Sequence, residues 1–360
     1  MNKKVANRIE RIGSALESWL RPDNERLNRA IERSVDEGLF SLPDVHHRLR
    51  SLKRTMTTAA LGEWSLCLPD DFDPGSGSSI LNFHPGNLPL CGIEDLLASL
   101  LTGAKYCGKL SRRDPWLPSS FLEELKERGV DGLMWSSNSE ELNDTCADAL
   151  IFSGAAQSLP GIASVTERLR LVQPNAPHLI RRAAFSIAWL DSGDQKSLRD
   201  LVNAVFRYGG DGCRSVALVV APFHLDEHLC HMTDAIEEFW LHSPQHKRPD
   251  PALYYRYAAN KALGLRQAWL DHFLIEESDR PPGEQFMLHW VCGQASDVAR
   301  LAQKFAPAVQ SIYCNNADCS LPGLAGRTEL LCKAQDPPLN WRPDGIDTLA
   351  WLIENLKVQS

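Results

Sequence analysis

The stretch ILNFHPGNLPLCGIEDLLASLLTGAKYCGKLSRRDP (Ile80–Pro115) contains one full turn of an alternating chain. ILNF is a short apolar run and reads as a strand; HPGNLPLCG, with two prolines and two glycines, breaks it into a turn. IEDLLASLLTG carries its leucines at helical spacing and stops on Gly103, a residue that ends helices by taking a positive φ. AKYCGKL is then a second strand, and it runs out into the loop SRRDP. Further along, ADALIFSG, FSIAWLD and Ser215–Val220 read as strands, with LPSSFLEELKERG and QKSLRDLVNAVFRYG as helices between them. Strands alternating with helices of roughly ten to fifteen residues predict βαβ units and a parallel sheet.

Outside this alternation, residues 1–65 predict helices, and PDDFDPGSGSS after them is a loop. Beyond Pro222 the chain predicts a helix rich in His and acids, the loop SPQHKRPDP, and a helical stretch over LYYRYAANKALGLRQAWLDHFL. EQFMLHWVC, VQSIYC and RTELLC are expected strands and ASDVARLAQKF a helix. No internal repeat or low-complexity segment interrupts the pattern.

RYGGDGCRSVALVV (Arg207–Val220) places a cysteine on a glycine-loosened turn ahead of a buried strand. Gly209, Gly210 and Gly212 let the backbone bend sharply and approach something closely. Cys213 reads either as a nucleophile held at the rim of a rigid element or as a small apolar residue closing a turn. Arg214 is adjacent, and neighbouring residues of an extended chain point to opposite sides, so Arg214 is not assigned to the thiol.

With 360 residues, two to three domains with a sizeable core are expected. Hydrophobic content of 43% and charged content of 23% are those of a soluble globular protein. There is no apolar run long enough to span a bilayer. The basic start MNKKVANRIERIG has no apolar segment after it, so no secretory signal is expected. A net charge of −8 gives no general attraction to nucleic acid. Ten scattered cysteines without a CxxC pair suggest reduced thiols in a cytoplasm. Cys314 and Cys319 have no second pair at ligand spacing. His224, His228 and His231, with Cys230 and Asp234 nearby, would share a face of one helix at zinc-ligand spacing, but on an acid-rich surface helix a solvated face is the default.

HPGNLPL (His84–Leu90), GKLSRRDPWLP (Gly108–Pro118) and YGGDGCRSV (Tyr208–Val216) together resemble the LuxC-like acyl-CoA reductases, a branch of the aldehyde dehydrogenase superfamily. KAQDPPLNWRPDGIDTLAWL (Lys333–Leu352) is similar to the C-terminal signature of that branch. The order and spacing fit from about residue 25 to the end.

The resemblance implies an α/β fold: a Rossmann-type nucleotide-binding domain packed on an α/β catalytic domain, with a helical N-terminal region. The expected division is 1–205, 206–332 with the nucleophile, and a C-terminal segment 333–360 packing back on the core. It implies an NADPH-dependent reduction of a long-chain acyl-CoA, or another acyl thioester, to the aldehyde through an S-acyl intermediate on Cys213. The acyl donor would be CoA, a carrier protein or a partner synthetase; a homo-oligomer is compatible with the resemblance. Asn87 matches the family's oxyanion asparagine, with the Cys213 backbone N–H as second donor; apart from the resemblance, Asn87 is an ordinary turn residue. His84 borders the same loop as an acid or a structural partner.

Lys109 matches the family lysine at the adenosine ribose. Many NAD-using relatives place a ribose-binding glutamate three residues later; here that position is Arg112, flanked by Ser111 and Arg113. Guanidinium groups would bind a 2′-phosphate that a carboxylate would repel, which favours NADP over NAD; the alternative is a solvated basic loop. IFSGAAQS (Ile151–Ser158) is similar to the family's strand–glycine–helix turn at the pyrophosphate, with Ser153 and Gly154 as the candidate contacts and Ala155 where relatives carry a hydroxyl. Where hydrolytic relatives have a Glu-Leu-Gly-Gly segment, this chain reads Leu179-Ile180-Arg181-Arg182, without the base that activates water. That loss fits a reductase. A non-redox cysteine acyltransferase and a non-catalytic subunit are the competing readings.

Overall fold

The computed structural model describes residues 3–72, 77–154, 156–244, 249–270, 273–280, 285–324, 326 and 328–356. Ser79–Phe83 forms strand β1, buried from Ile80 onward, and sits in the middle of a five-stranded sheet. A strand apolar on both faces belongs inside a parallel sheet covered by helices. The chain continues through α5 (Ile93–Thr102), β2 (Lys105–Lys109), α6 (Trp116–Glu127), β3 (Leu133–Ser136), β4 (Ala149–Ser153), α7 (Leu159–Arg168) and β5 (His178–Arg181). Strand order is β3-β2-β1-β4-β5, parallel throughout. The order reverses between β1 and β4, and such a reversal opens a crevice at the carboxyl ends of the two strands.

Helices α1 (Lys3–Trp19), α2 (Glu25–Asp36), α3 (Leu42–Thr55) and α4 (Thr58–Trp64) precede the sheet. Trp19 is fully buried; its indole N–H donates to Ser120 Oγ of α6 at 3.0 Å and its ring lies 4.9 Å from Phe121. Gly103 takes φ +83 and closes α5, as its position in the sequence requires.

A second sheet has seven strands in the order β12-β11-β6-β7-β10-β9-β8. Its elements are β6 (Phe185–Trp189), α8 (Gln195–Phe206), β7 (Val216–Ala221), α9 (Leu229–His242), α10 (Pro251–Ala262), β8 (Gln267–Leu270), β9 (Phe273–Glu277), β10 (Met287–Cys292), α11 (Ala295–Lys304), β11 (Val309–Cys314) and β12 (Thr328–Leu330). Only β8 runs antiparallel to its neighbour among these described strands. Helix α12 (Thr348–Leu356) then packs on α5 and buries Leu349, Leu352 and Ile353 in the core of the first sheet.

The units are therefore residues 1–182 with 338–360, and 183–337. These differ from the expected boundaries at 205 and 332, since β6 and α8 belong to the second sheet and not to the first. The expected helical stretch 253–274 is also different. Gly264, at φ +69, ends α10, and the edge strand β8 and its neighbour β9 follow. Strands β3 and β5, at the two edges of the first sheet, were not expected from the sequence.

Candidate functional site

In the first unit the loops leaving β1, β2 and β4 all start from the carboxyl edge of the sheet. His84 extends the ladder, its N–H donating to Lys109 O at 2.9 Å, and its ring is buried. Nδ1 lies 3.2 Å from Cys91 O and Nε2 meets the Tyr106 hydroxyl. The consistent tautomer donates from Nδ1 and accepts the Tyr106 O–H at Nε2. Burial lowers the His84 pKa to about 4, so the ring is neutral near pH 7 and braces the loop from beneath. Asn87 lies half-buried on that loop, between Gly86 and Leu88.

Lys109 closes β2 half-buried, with Nζ donating to Leu110 O at 2.8 Å. Burial, and then the neighbouring Arg112 guanidinium, hold its ammonium pKa below the usual value. Ser111 is half-buried, whereas Arg112 and Arg113 are exposed. Sequence reasoning passed over the next residue, Asp114, which is 1% exposed. Its Oδ2 accepts the Leu90 N–H at 2.7 Å, across the two loops. Burial pushes the Asp114 carboxyl up to about 8, against the opposing pull of the Leu90 N–H and of Arg48. A neutral, inward-turned carboxyl leaves the face of the 109–113 loop cationic.

Ser153 and Gly154 end β4. A Cβ on Gly154 would come within 2.7 Å of the tip of the Phe152 ring, so a side chain there would have to displace that ring. Ser153 Oγ accepts from Arg181 Nη1 at 3.3 Å. Ala155 lies outside the described residues.

Leu179 and Arg181 share one face of β5, and both are buried. Leu179 belongs to the apolar core. Arg181 is the larger surprise. Its Nη1 meets Asp95 Oδ2 at 2.6 Å, its Nη2 meets Thr348 Oγ1 at 2.6 Å, and Thr348 donates on to Asp95 Oδ1 at 2.9 Å. The ring of contacts joins α5, β5 and α12. Arg182 N donates to Asp344 Oδ2 at 2.9 Å beside it. A basic pair in an edge strand gives no sequence signal of this role; the Asp and Thr partners are far away in the chain.

In the second unit, Tyr208, Gly209 and Gly210 take φ of 59, 68 and 74 and swing the chain from α8 toward β7. Cys213 is half-buried on this turn, and its carbonyl accepts the Ser186 O–H at 2.9 Å. Arg214 points inward, its Nε and Nη2 donating to the carbonyls of Ala334 at 2.6 Å and Lys333 at 2.8 Å. It ties the turn to residues 333–334.

The histidine group does not form the expected face. His224 precedes the helix and pairs with Glu277 at 3.0 Å, while the rings of His228 and His231 stack 6.1 Å apart. Among the described residues no group of three or more His, Cys, Asp or Glu is placed to hold a metal, and no helix is long and apolar enough to cross a membrane.

No protein-family model and no curated protein matches the chain. Solved structures do. Proline utilization A from Bradyrhizobium japonicum superposes with a TM-score of 0.68 at 14% identity, over 98% of this chain and 42% of that one. The salicylaldehyde dehydrogenase of Pseudomonas putida G7 gives 0.62 at 14%, over 88% and 74%. AldH of Staphylococcus aureus gives 0.57 at 14%, over 89% and 77%.

The fold is aldehyde-dehydrogenase-like. The chain spans only 36–42% of the length of the proline utilization A chains. In aldehyde-dehydrogenase-like terms, the five-stranded sheet is the Rossmann-type layer and the seven-stranded sheet carries the cysteine turn.

Proposed function

We propose that the protein is an NADPH-dependent reductase of acyl thioesters, a long-chain acyl-CoA among them, working through an S-acyl intermediate on Cys213. The observation that carries this is the Cys213 turn. A half-buried cysteine follows a positive-φ bend and is fixed on its β7 side by Ser186 and Arg214, ahead of a central strand of an aldehyde-dehydrogenase-like fold. Tyr208, a non-glycine residue at φ +59, carries a backbone cost of about 1 kcal/mol or more, and such strain clusters at functional sites.

The residues fit a phosphate-bearing dinucleotide. Lys109 and Arg112 repel one another at the end of β2, and an anion between them would relieve that repulsion. Gly154 provides the close approach on β4. Lys109, Ser111 and Arg112 would hold the adenosine end with its 2′-phosphate, and Ser153 and Gly154 the pyrophosphate. When bound, the nicotinamide supplies hydride to the thioester carbonyl.

The Cys213 thiolate attacks the acyl carbon, forming the new C–S bond as the CoA thiolate leaves and takes up a proton. Asn87 is assigned the developing oxyanion, a donor worth ~3 kcal/mol. After reduction the C–S bond breaks, aldehyde leaves, and Cys213 returns as thiolate. Leu179 supports the direction of the chemistry, since no carboxylate at that place activates water against the acyl-enzyme.

Intact-mass spectrometry with a long-chain acyl-CoA tests the proposal. Wild type should gain an acyl adduct that NADPH discharges as aldehyde, and Cys213→Ala should gain none. An adduct that NADPH leaves in place would make the protein an acyltransferase; no adduct from any acyl donor would end the proposal.

A further inference from the structure

We infer that the loops leaving β1 and β2 move as one body, with Asp114 as a positioning residue through which a phosphate group held at Ser111–Arg113 sets the loop that carries Asn87. The inference rests on the nucleotide and oxyanion roles proposed above and adds a link between them.

Two independent contacts join the loops. The first is steric. A Cβ on Gly86 would lie 2.1 Å from Ser111 Oγ, 2.6 Å from Ser111 Cβ and 2.9 Å from Arg113 Cβ. Residue 86 therefore presses bare backbone against the two residues that flank Arg112. The second is polar. Asp114 Oδ2 takes the N–H of Leu90, which sits at φ +56, an unfavourable conformation for a leucine. Something must hold Leu90 there, and a buried acceptor at 2.7 Å does so.

Asn87 lies between these attachments, one residue after Gly86 and three before Leu90. Arg48 Nη2 also donates to Leu90 O, at 3.4 Å, and the His84 contacts with Cys91 O and Tyr106 lie at the base of the loop. Within the 109–114 loop the path is short. Ser111 Oγ accepts the Arg113 N–H at 3.2 Å and Ser111 O accepts the Asp114 N–H at 3.2 Å. An anion that draws Ser111, Arg112 and Arg113 together thus bears on both attachments. The two functions share a mounting.

Hydrogen exchange read by mass spectrometry on peptides covering 84–92 and 109–114 tests this, in ligand-free protein and with NADPH. In ligand-free protein Asp114→Ala should speed exchange in 84–92 about tenfold, the loss of one hydrogen bond. Asp114→Asn, which keeps an acceptor oxygen, should restore the wild-type rate. Gly86→Ala should loosen the same peptide, and adding Ser111→Gly should tighten it part of the way back by removing the two nearest crowding atoms, leaving Arg113 Cβ. NADPH should slow both peptides in wild type and Asp114→Asn, and in Asp114→Ala should slow 109–114 as before but 84–92 much less. Unchanged 84–92 exchange in ligand-free Asp114→Ala, or no relief from the Gly86→Ala and Ser111→Gly combination, would overturn the joining of the loops. Protection of 109–114 without 84–92 in wild type would overturn the coupling while leaving the nucleotide site standing. Protection of neither would overturn the nucleotide site and the coupling through it, with the joining judged by the ligand-free variants.

Discussion

Replacing Arg181 by Ala should release the C-terminal helix. Arg181 and Asp95 are each 6% exposed at the side chain and 2.6 Å apart, and Thr348 closes the ring by accepting from one and donating to the other. Deleting one partner of such a buried pair leaves a carboxylate without its cation and costs ~3–5 kcal/mol. The loss falls on the contact between α12 and the α5–β5 region, so it should lower the free energy of opening α12 rather than unfold the seven-stranded sheet. At ~1.4 kcal/mol per factor of ten, amide exchange in 348–356 should quicken about 100- to 4000-fold. Arg168→Ala is the control: its partner Glu140 is 56% exposed and the pair is worth at most ~1 kcal/mol. Asp95→Asn combined with Arg181→Met, which removes both charges together, should cost less than Arg181→Ala alone. Should Arg181→Ala quicken α12 exchange no more than Arg168→Ala does, the buried ring would have no energetic role and the reasoning would fail.

Arg112→Ala with Arg113→Ala should raise the KM for NADPH about 10- to 100-fold, from the loss of charge-assisted hydrogen bonds, and leave that for NADH nearly unchanged; steady-state kinetics with both cofactors decides. Ser186→Ala should slow acylation of Cys213 and cost ~1–2 kcal/mol, because it removes the hydrogen bond that fixes the Cys213 carbonyl; timed intact-mass measurements and urea denaturation check the two halves. The pH dependence has a worked sign. His84 and His289 are buried with pKa lowered to about 4 from 6.5, so each contributes stability above pH 6.5 that is lost as the pH falls to 4. Asp114, raised to about 8, acts oppositely: its contribution is present at low pH and lost as the pH rises from the carboxylate range through 8. Between pH 4 and 6.5 one histidine is thus offset. Asp114→Asn should steepen the acid-side loss by ~1.4 kcal/mol per pH unit and flatten the slope between 6.5 and 8, measured by urea midpoints across the range.

The interior strands were legible because their chemistry is uniform. β1, β4, β6 and β7 are apolar runs bounded by glycine, proline or charge, and parallel strands buried on both faces look like that. The edge strands were not. β3 is only half-covered, and β5 carries an exposed histidine and a buried arginine, so neither shows a strand pattern. At 253–274 the aromatic and leucine content ran past Gly264 as if helical, although that glycine is where the helix stops. In the candidate site the proposed residues Cys213, Asn87, Lys109, Ser111, Arg112, Ser153 and Gly154 all stand in motifs that the sequence displays. The groups that hold them could not be named from it. Asp114 looked like part of a charged loop, and the Asp95–Arg181–Thr348 ring joins residues that are far apart along the chain.

That ring also sets a schedule for synthesis. The first unit is interrupted in sequence, and α12 is made only after all of Ala183–Pro337. At ribosomal rates that interval lasts roughly 8–30 s. Throughout it, the apolar face of α5 that Leu349 and Leu352 will cover, and the Asp95–Arg181 pair that Thr348 will cap, wait without their lid. The nascent chain therefore carries a sticky, half-finished domain while a second one emerges, and that window is when a chaperone would find most to hold.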